Sequence, residues 1–417
     1  MTATAAGIAA WGLLRTNRVF LYPVGVALLF MAWVVPQAIH IEVSGLGEFY
    51  DAHVTWLYAT VCLIATAAGF HAGLRHGPPG WRPALAVRPL LGGTVALVGL
   101  GGFCALKVYW MAETNDVAAQ WTGAITAYHL GTQALIYAFA LSWLIYLRTS
   151  RPVFLAMMCV AFLLMVPGLM TGVKRSVIFE LAFVAAAGLH FVRRVRWNRL
   201  ALVAACIFGT VLIHQVGAVR HYIDNGRGNA VQAVASGVMF ERFEYFNLQS
   251  ARELRQAISD IDIYSETMRF DGFALHWNRL VHQYVPAFLV GRETKDNLKV
   301  DVTAGYGDAS ARVISSRGAT RTGFSDSFRG FWWFGSVIFL VIGWGFGRLY
   351  TSSRDGNLLA QFYYLVLFSD GLLAITDSTT RFVSQIPFLL LATLPIFLFA
   401  TDGRHRTHHL PYAPNST

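Results

Sequence analysis

Residues 89–112, PLLGGTVALVGLGGFCALKVYWMA, contain a single charged side chain, that of Lys107. A helix needs roughly 20 mostly apolar residues to cross the ~30 Å hydrocarbon core of a bilayer, so this run predicts a transmembrane helix. The 417-residue chain has the same character throughout, with 55% apolar residues and only 13% charged residues, about half the ~25% of a soluble domain. Its composition therefore excludes a soluble globular protein and a disordered chain.

Nine further apolar runs occur along the chain, so the sequence predicts an all-α polytopic membrane protein with about ten transmembrane helices. The predicted spans are residues 17–39, 52–71, 89–112, 123–148, 152–171, 175–192, 199–217, 327–348, 358–376 and 381–401. They divide the chain into residues 1–217 with the first seven helices, a loop at 218–326, residues 327–401 with the last three helices, and a tail at 402–417.

Basic residues are concentrated in every second connection between the spans. These connections hold fifteen basic residues against two acidic ones. The basic residues are Arg15, Arg18, Arg75, Arg82, Arg88, Arg148, Arg151, Arg193, Arg194, Arg196, Arg199, Arg348, Arg354, Arg404 and Arg406. By the positive-inside rule these connections and both termini are cytoplasmic, and we expect their arginines to serve orientation only. The net charge of +10 comes mainly from them and does not indicate a nucleic-acid partner.

The long connection at 218–326 lies outside the cytoplasm by the same rule. It contains thirteen basic and thirteen acidic residues. Amphipathic patterns predict helices at 240–258 and 273–285, and Pro286 ends the second of them. Residues 291–324 are rich in Gly and Ser and predict irregular structure. Because long loops in compact proteins are often active-site lids, we expect this partly helical extracytoplasmic loop to be functional.

Three charged residues within the spans, Lys107, Glu180 and Asp370, lie about five or six residues from predicted outer ends, or ~8 Å deep. Because charged side chains inside a membrane are energetically costly, each of these three residues is a candidate functional residue. Basic residues near this level predict a cationic chamber; they are Lys107, Lys174, Arg175, Arg220, Arg329 and Arg381. Such a chamber suits an anionic lipid-linked substrate, because guanidinium groups bind phosphate oxygens bidentately. The alternative is that Lys107–Asp370 and Arg175–Glu180 are structural ion pairs and that the other basic side chains snorkel to the membrane interface.

Two other motifs give weaker signals. Asp260 and Asp262 form a D-x-D pattern, which some glycosyltransferases use to hold a metal on a sugar nucleotide. A three-residue match outside the cytoplasm is weak evidence for that role, and we expect neither a metal nor a cofactor. Gly343, Gly345 and Gly347 form a stripe of small residues that predicts close helix packing.

Several segments around the loop resemble the Wzy-type O-antigen and exopolysaccharide polymerases, which join oligosaccharide repeat units. The segments are TGVKR at 171–175, Arg220, PAFLVGRETK at 286–295, TGFSDSF at 322–328 and FWWFG at 331–335. The resemblance covers residues 165–350. The family commonly has Gly-x-Arg before a span, whereas this chain has Gly-x-Lys-Arg, so Lys174 and Arg175 both stay open as the counterpart of that arginine.

The resemblance implies an enzyme on the outer face of a bacterial cytoplasmic membrane. Such an enzyme transfers a growing glycan from its undecaprenyl diphosphate carrier to a new lipid-linked repeat unit, without a cofactor. Its expected partners are this lipid-linked oligosaccharide as donor and acceptor, the bilayer, a chain-length-regulating co-polymerase and a flippase. The family pattern Arg-x10-Gly is also matched by Arg312 and Gly323.

The chemistry of this transfer suggests roles for individual residues. Arg175 and Arg220 are expected to stabilise the charge that develops on the leaving diphosphate. Glu244 and His276 are the catalytic candidates for proton transfer, with Asp271, Glu180 and Asp370 also open as the base. The substrate-binding candidates are Lys107, Lys174, His221, Arg242, Arg292, Lys295, Arg312, Arg321, Arg329, Asp370 and Arg381.

Two alternatives belong to other classes of protein. An O-antigen ligase would use the same donor with a lipid acceptor, and the sequence does not separate it from a polymerase. A flippase for lipid-linked glycans would need a polar route through both leaflets. Apart from arginines at their cytoplasmic ends, the inner halves of the predicted spans contain no charged residues, which argues against the flippase.

Overall fold

The computed structural model describes most of the chain as helix. The described residues are 1–14, 18–43, 52–76, 85–112, 124–172, 175–195, 197–198, 230–237, 252–285, 287–301 and 322–401, with the single residues 204, 219, 222 and 228. Within this part of the chain there is no strand, so the predicted all-α class is confirmed for it.

Seventeen α-helices follow one another along the described residues. They are α1 (Thr2–Leu13), α2 (Tyr22–Val43), α3 (Ala52–Arg75), α4 (Val87–Ala112), α5 (Ala124–Gly131), α6 (Gln133–Thr149), α7 (Pro152–Gly172), α8 (Arg175–Arg193), α9 (Ala230–Ala235), α10 (Arg252–Thr267), α11 (Ala274–Tyr284), α12 (Ala287–Val290), α13 (Arg292–Asn297), α14 (Gly323–Phe331), α15 (Val337–Arg354), α16 (Leu358–Thr376) and α17 (Thr379–Thr401). Helix α2 contains a π-helical turn at Phe30–Val34, and a 3₁₀ turn at Trp332–Ser336 joins α14 to α15.

Among the described residues, seven helical segments are long and apolar enough to cross a membrane. They are Tyr22–Val43, Ala52–Arg75, Val87–Met111, Ala127–Thr149, Gly323–Arg354, Leu358–Thr376 and Thr379–Thr401. The chain is therefore a helical protein of the multi-pass membrane type. Helices α7 and α8 occupy the fifth and sixth predicted spans, whereas the seventh, 199–217, lies outside the described residues.

The loop between the long helices differs from its prediction at three points. Helix α10 continues to Thr267, beyond the predicted end at residue 258, because its apolar residues keep helical spacing with Ile261 and Tyr264 buried. Helix α13 is a six-residue exposed turn of helix in the segment predicted as irregular. Helix α14 begins at Gly323, still within that segment, because the Thr322 hydroxyl caps its N-terminus. The predicted helix at 273–285 is present as α11.

Helices α3 and α15 make the closest contact between two long helices in the described bundle. Gly69 and Gly73 of α3 face Gly343 and Gly347 of α15, each pair with the spacing Gly-x-x-x-Gly. A Cβ atom at any of these four positions would lie 2.0–2.3 Å from a carbonyl oxygen of the facing helix. The predicted packing stripe is thus correct for Gly343 and Gly347, whereas Gly345 faces open space.

The α3–α15 pair also holds α14 in place. The Tyr58 hydroxyl of α3 lies 3.0 Å from the Ser327 hydroxyl of α14. Gly335, in the 3₁₀ turn, packs so closely under α14 that a Cβ atom there would lie 1.8 Å from the Ser327 carbonyl oxygen. At the N-terminus of α14, a Cβ atom at Gly323 would lie 1.6 Å from the Ala374 carbonyl oxygen of α16. Only glycine permits these contacts.

Arginines on the predicted cytoplasmic side bind the ends of neighbouring helices, so the expectation that they serve orientation only is wrong for three of them. Arg148 donates to the Gly356 carbonyl at 2.7 Å, Arg194 to the Arg354 carbonyl at 2.6 Å and Arg348 to the His76 carbonyl at 2.7 Å. Helix C-termini leave carbonyl groups without intrahelical partners, and a cation there is favourable.

Replacing Gly343 by Val tests the backbone contact. The new side chain would collide with the Thr66 carbonyl of α3, and we expect a loss of about 1–3 kcal/mol or more of stability from overpacking. Gly345→Val, two residues away on the open face, is the matched control. The measurement is thermal unfolding of both purified variants in detergent; equal midpoints would contradict the contact.

Candidate functional site

Helix α14 lies where the loop helices meet the long helices α3, α16 and α17. Every residue from Gly323 to Gly330 is buried, including the polar residues Ser325, Asp326 and Arg329. Buried charges must be paired or bound by hydrogen bonds, so the partners of these side chains define the chemistry of this region.

Asp260 of α10 points into the protein against α14 and is 1% exposed. Its Oδ1 accepts a hydrogen bond from Gln256 Nε2 at 2.8 Å, and its Oδ2 accepts one from the Ser325 hydroxyl at 3.1 Å. Burial raises the pKa of the Asp260 carboxyl to about 6, although both hydrogen bonds oppose the shift. Asp260 therefore changes its protonation close to neutral pH.

Asp271 and Arg329 form a buried salt bridge of 2.6 Å, with 4% and 3% of their side chains exposed. Two backbone hydrogen bonds reinforce it, from the Asp271 N–H to the Arg329 carbonyl and from the Gly272 N–H to the Gly330 carbonyl. The other Asp271 oxygen accepts from the Phe273 N–H at 3.0 Å, and Phe273 has a positive φ of 64°. This ion pair fixes the start of α11 to the end of α14.

His276 of α11 lies against the first turn of α17. Its Nε2 is 3.0 Å from the Thr379 hydroxyl, and its buried Nδ1 has no hydrogen-bond partner among the described residues. Burial lowers the pKa of His276 to about 4, although the negative charge of Asp271 opposes the shift. The imidazole is therefore neutral at pH 7 and a weak base there.

Asp326 of α14 binds the same turn from the other side and is 3% exposed. Its Oδ2 accepts hydrogen bonds from the Ser378 hydroxyl and, at 3.1 Å, from the Thr380 hydroxyl. The turn before α17 is thus held by a carboxylate and an imidazole.

Arg381 joins this turn to the charges predicted inside the spans. It forms a salt bridge of 2.6 Å with Asp377, and it interacts electrostatically with Asp370 and Glu180. Glu180 and Asp370 also act on each other. Arg279 of α11 acts on Arg381, Asp377 and Asp326, so it connects the two halves of the region.

We call these residues the polar cluster. Its members are Glu180, Asp260, Asp271, His276, Arg279, Asp326, Arg329, Asp370, Asp377 and Arg381. Within the described residues it has six carboxyl groups and three guanidinium groups, so acids outnumber cations there. The predicted cationic chamber also includes Lys174, Arg220 and the Arg175 side chain, which lie outside what the structure describes.

Six residues predicted for the site belong to the polar cluster: His276, Arg329, Asp370 and Arg381, together with Asp271 and Glu180, which were also candidates for the base. Lys107 does not join them: its ammonium lies over the Phe103 and Trp110 rings, 5.8 Å from each centroid. Lys107 and Asp370, both described, form no ion pair, so the alternative that they are a structural pair is wrong.

Of the other predicted residues, two have described side chains and the rest do not. Arg292 is exposed at the start of α13, and Lys295 donates to the His282 carbonyl at 2.9 Å, which ties α13 to α11. Arg175 opens α8, but its side chain is not among those described. Lys174, Arg220, His221, Arg242, Glu244, Arg312 and Arg321 lie outside the described residues.

Sequence reasoning missed Asp326, Arg279 and Asp377 as members of the polar cluster. The sequence offers little indication of their role, because each is a charged residue in or beside a loop, where charged side chains are normally solvated. For Asp326 one clue was present: it is flanked by Phe324 and Phe328, which a solvated loop has little reason to contain.

The two carboxylates of the D-x-D pair do not converge on a common point where a metal ion could bind. Asp260 and Asp262 lie on helix α10, where residues two apart point to different faces. Asp260 is buried and Asp262 is half-buried. Among the residues that the structure describes, no group of three or more His, Cys, Asp or Glu side chains could hold a metal ion.

Tyr284 of α11 is inserted into the backbone of α17 beside Pro387. Its hydroxyl donates to the Ser384 carbonyl at 2.6 Å and accepts from the Phe388 N–H at 3.1 Å. In an unbroken helix these two backbone groups would bind each other. The loop helix thus repairs the hydrogen-bond gap next to a proline.

A scan of protein-family models, a search of curated proteins and a search of solved structures each gave no match to this chain. The site is therefore interpreted from its own residues.

Removing Arg329 tests the buried salt bridge. Arg329→Ala leaves the Asp271 carboxylate buried without its cation, and we expect a loss of about 3–5 kcal/mol in the free energy of unfolding. The control is Asp296→Asn, which removes the exposed pair with Lys299 and should change stability little. Urea unfolding in detergent measures both, and a small effect of Arg329→Ala would refute the bridge.

Proposed function

We propose that this protein is a membrane glycosyltransferase that polymerises undecaprenyl-diphosphate-linked oligosaccharide repeat units into O-antigen or exopolysaccharide. One observation supports it above the others: five charged side chains, those of Glu180, Asp260, Asp271, Asp326 and Arg329, are buried, and four of them lie where the loop helices α10 and α11 meet α14. A scaffold has no need of so many desolvated charges, since replacing buried ion pairs by apolar residues is often neutral or stabilising.

The proposed topology has ten transmembrane helices with both termini in the cytoplasm of a bacterium. The loop at 218–326 then faces the periplasm or exterior, on the same side as the polar cluster. Its support is the concentration of fifteen basic residues in the alternate connections. This orientation would let the site meet a glycan displayed on the outer face of the cytoplasmic membrane.

The proposed reaction needs no metal. The acceptor hydroxyl attacks the anomeric carbon of the donor, and the bond from that carbon to the diphosphate oxygen breaks. The electron pair leaves with undecaprenyl diphosphate, whose developing charge Arg175 and Arg220 would stabilise as fixed donors. Arg329 and Arg381 would bind donor or acceptor groups in the polar cluster.

Reporter fusions test the topology. Fusions in 75–88, in 193–199 and in the tail should be active in the cytoplasm, because these connections are rich in arginine. Fusions in 225–320 should be active only outside. A cytoplasmic reporter signal from 225–320 would contradict the proposed function, since the loop could not then contact a glycan outside the cytoplasm.

Arginine-to-lysine variants test the chemistry. Arg175→Lys and Arg220→Lys keep the charge but remove the bidentate geometry, so we expect transfer to fall by about 10²–10³-fold. The matched control is Arg269→Lys, an exposed loop arginine that should transfer normally. The assay uses the purified full-length protein in vesicles with a lipid-diphosphate-linked oligosaccharide, and measures product length.

Two outcomes of that assay would change the proposal. Wild-type products from Arg175→Ala and Arg220→Ala would show that these arginines do not stabilise the leaving group. If the wild-type protein extends only a lipid A-core acceptor and not a second repeat unit, the activity is that of a ligase.

A further inference from the structure

Among the described residues, one carboxylate oxygen of Asp326 has no hydrogen-bond partner. Its Oδ2 accepts from the Ser378 and Thr380 hydroxyls, whereas its buried Oδ1 has no hydrogen-bond partner among the described residues. Buried carboxylate oxygens are normally hydrogen-bonded, and an exception calls for an explanation such as a catalytic role. Within the described residues, Oδ1 therefore retains an unused acceptor site for a proton or a hydrogen bond.

The charged groups around Asp326 leave it unneutralised. Asp260 on α10 and Asp271 before α11 act on it as like charges. Arg279 on α11 acts on it at a distance, and none of the salt bridges within the described residues includes it. Arg329, on the same helix as Asp326, binds Asp271 instead.

The other carboxylates of the cluster are less suited to accept a proton. Asp271 is bound by Arg329 and Asp377 is bound by Arg381, and an adjacent cation stabilises the charged form of a carboxylate. Both Asp260 oxygens are already occupied by Gln256 and Ser325. Within the described part of the chain, Asp326 thus combines an oxygen that has no hydrogen-bond partner with the absence of a bound cation.

A second open polar atom lies beside the same turn. His276 Nε2 pairs with the Thr379 hydroxyl, one residue from each of the two hydroxyls that hold Asp326. Its Nδ1 has no partner in the described part of the chain. Among the described residues, the carboxylate and the neutral imidazole that bind the turn 378–380 therefore each retain one unused site.

We propose that Asp326 is the general base that activates the acceptor sugar hydroxyl, an inference that rests on the proposed function. The acceptor O–H bond breaks and its proton passes to Asp326 Oδ1, while the oxygen forms a bond to the donor anomeric carbon. The bond from that carbon to the diphosphate breaks, and the lipid diphosphate leaves with the electron pair. The turn at 378–380 holds the other oxygen of the base in place.

Asp326→Asn tests this role with little change in shape. The amide oxygen can still accept from Ser378 and Thr380, but the side chain cannot take up a proton. In the vesicle assay above, we expect single-turnover transfer to fall by about 10²–10⁴-fold, the usual contribution of a general base, while donor affinity is unchanged. Asp296→Asn, an exposed loop carboxylate, is the matched control and should transfer normally.

The pH profile separates a base from a structural group. The wild-type rate should rise with pH as the base loses its proton and then level off. Asp326→Asn should lose this rise, and Asp326→Glu should recover part of the rate with the rise shifted along the pH axis. A merely structural Asp326 would lower the unfolding temperature or donor affinity in Asp326→Asn and leave the pH dependence intact.

The possible failures are distinguishable. No transfer by the wild-type protein, with intact donor binding, would overturn the proposed function and the inference with it. Normal wild-type transfer with an unchanged pH profile in Asp326→Asn would overturn the inference alone. Where Asp326→Asn fails to reach the membrane, Asp326→Glu decides the matter, and an unshifted profile there would reject Asp326 as the base.

Discussion

The backbone contact between α3 and α15 is the constraint on which the site depends. Four glycines let carbonyl oxygens of one helix approach the Cα atoms of the other, at distances where any side chain would collide. This contact holds α15 against α3, and the 3₁₀ turn before α15 places Gly335 against the Ser327 carbonyl. Helix α14, and with it Asp326 and Arg329, is thereby fixed relative to the long helices.

The polar cluster shows how this protein bears the cost of desolvated charge. Transfer of a single carboxylate from water to a protein interior costs several kcal/mol unless partners replace the water. Arg329 and Arg381 each neutralise one carboxylate, and hydroxyl groups such as those of Ser325 and Thr380 bind others. Hydroxyls satisfy a carboxylate oxygen without cancelling its charge, so the cluster keeps groups that can still exchange protons.

The fold was more predictable than the site, for a physical reason. A span must exceed a fixed length and exclude charge, and these two conditions are visible in one sequence. The same logic found Asp370, since a charge inside an apolar run is costly wherever the helix packs. It did not find Asp326, because the sequence around a charged loop residue does not show whether that residue is solvated or buried. It also did not separate Gly343 from Gly345, because the difference between them depends on which face of α15 meets α3.

Tyr284 gives the loop a mechanical role in the bundle. Proline leaves α17 with a weak joint near residue 387, and the Tyr284 hydroxyl bridges the two backbone groups at that joint. Because α11 supplies this bridge, the angle between the first turns of α17, which include Arg381, and the segment after Pro387 is held by a contact from outside the helix. The stiffness of this last long helix is therefore set by a side chain from outside it.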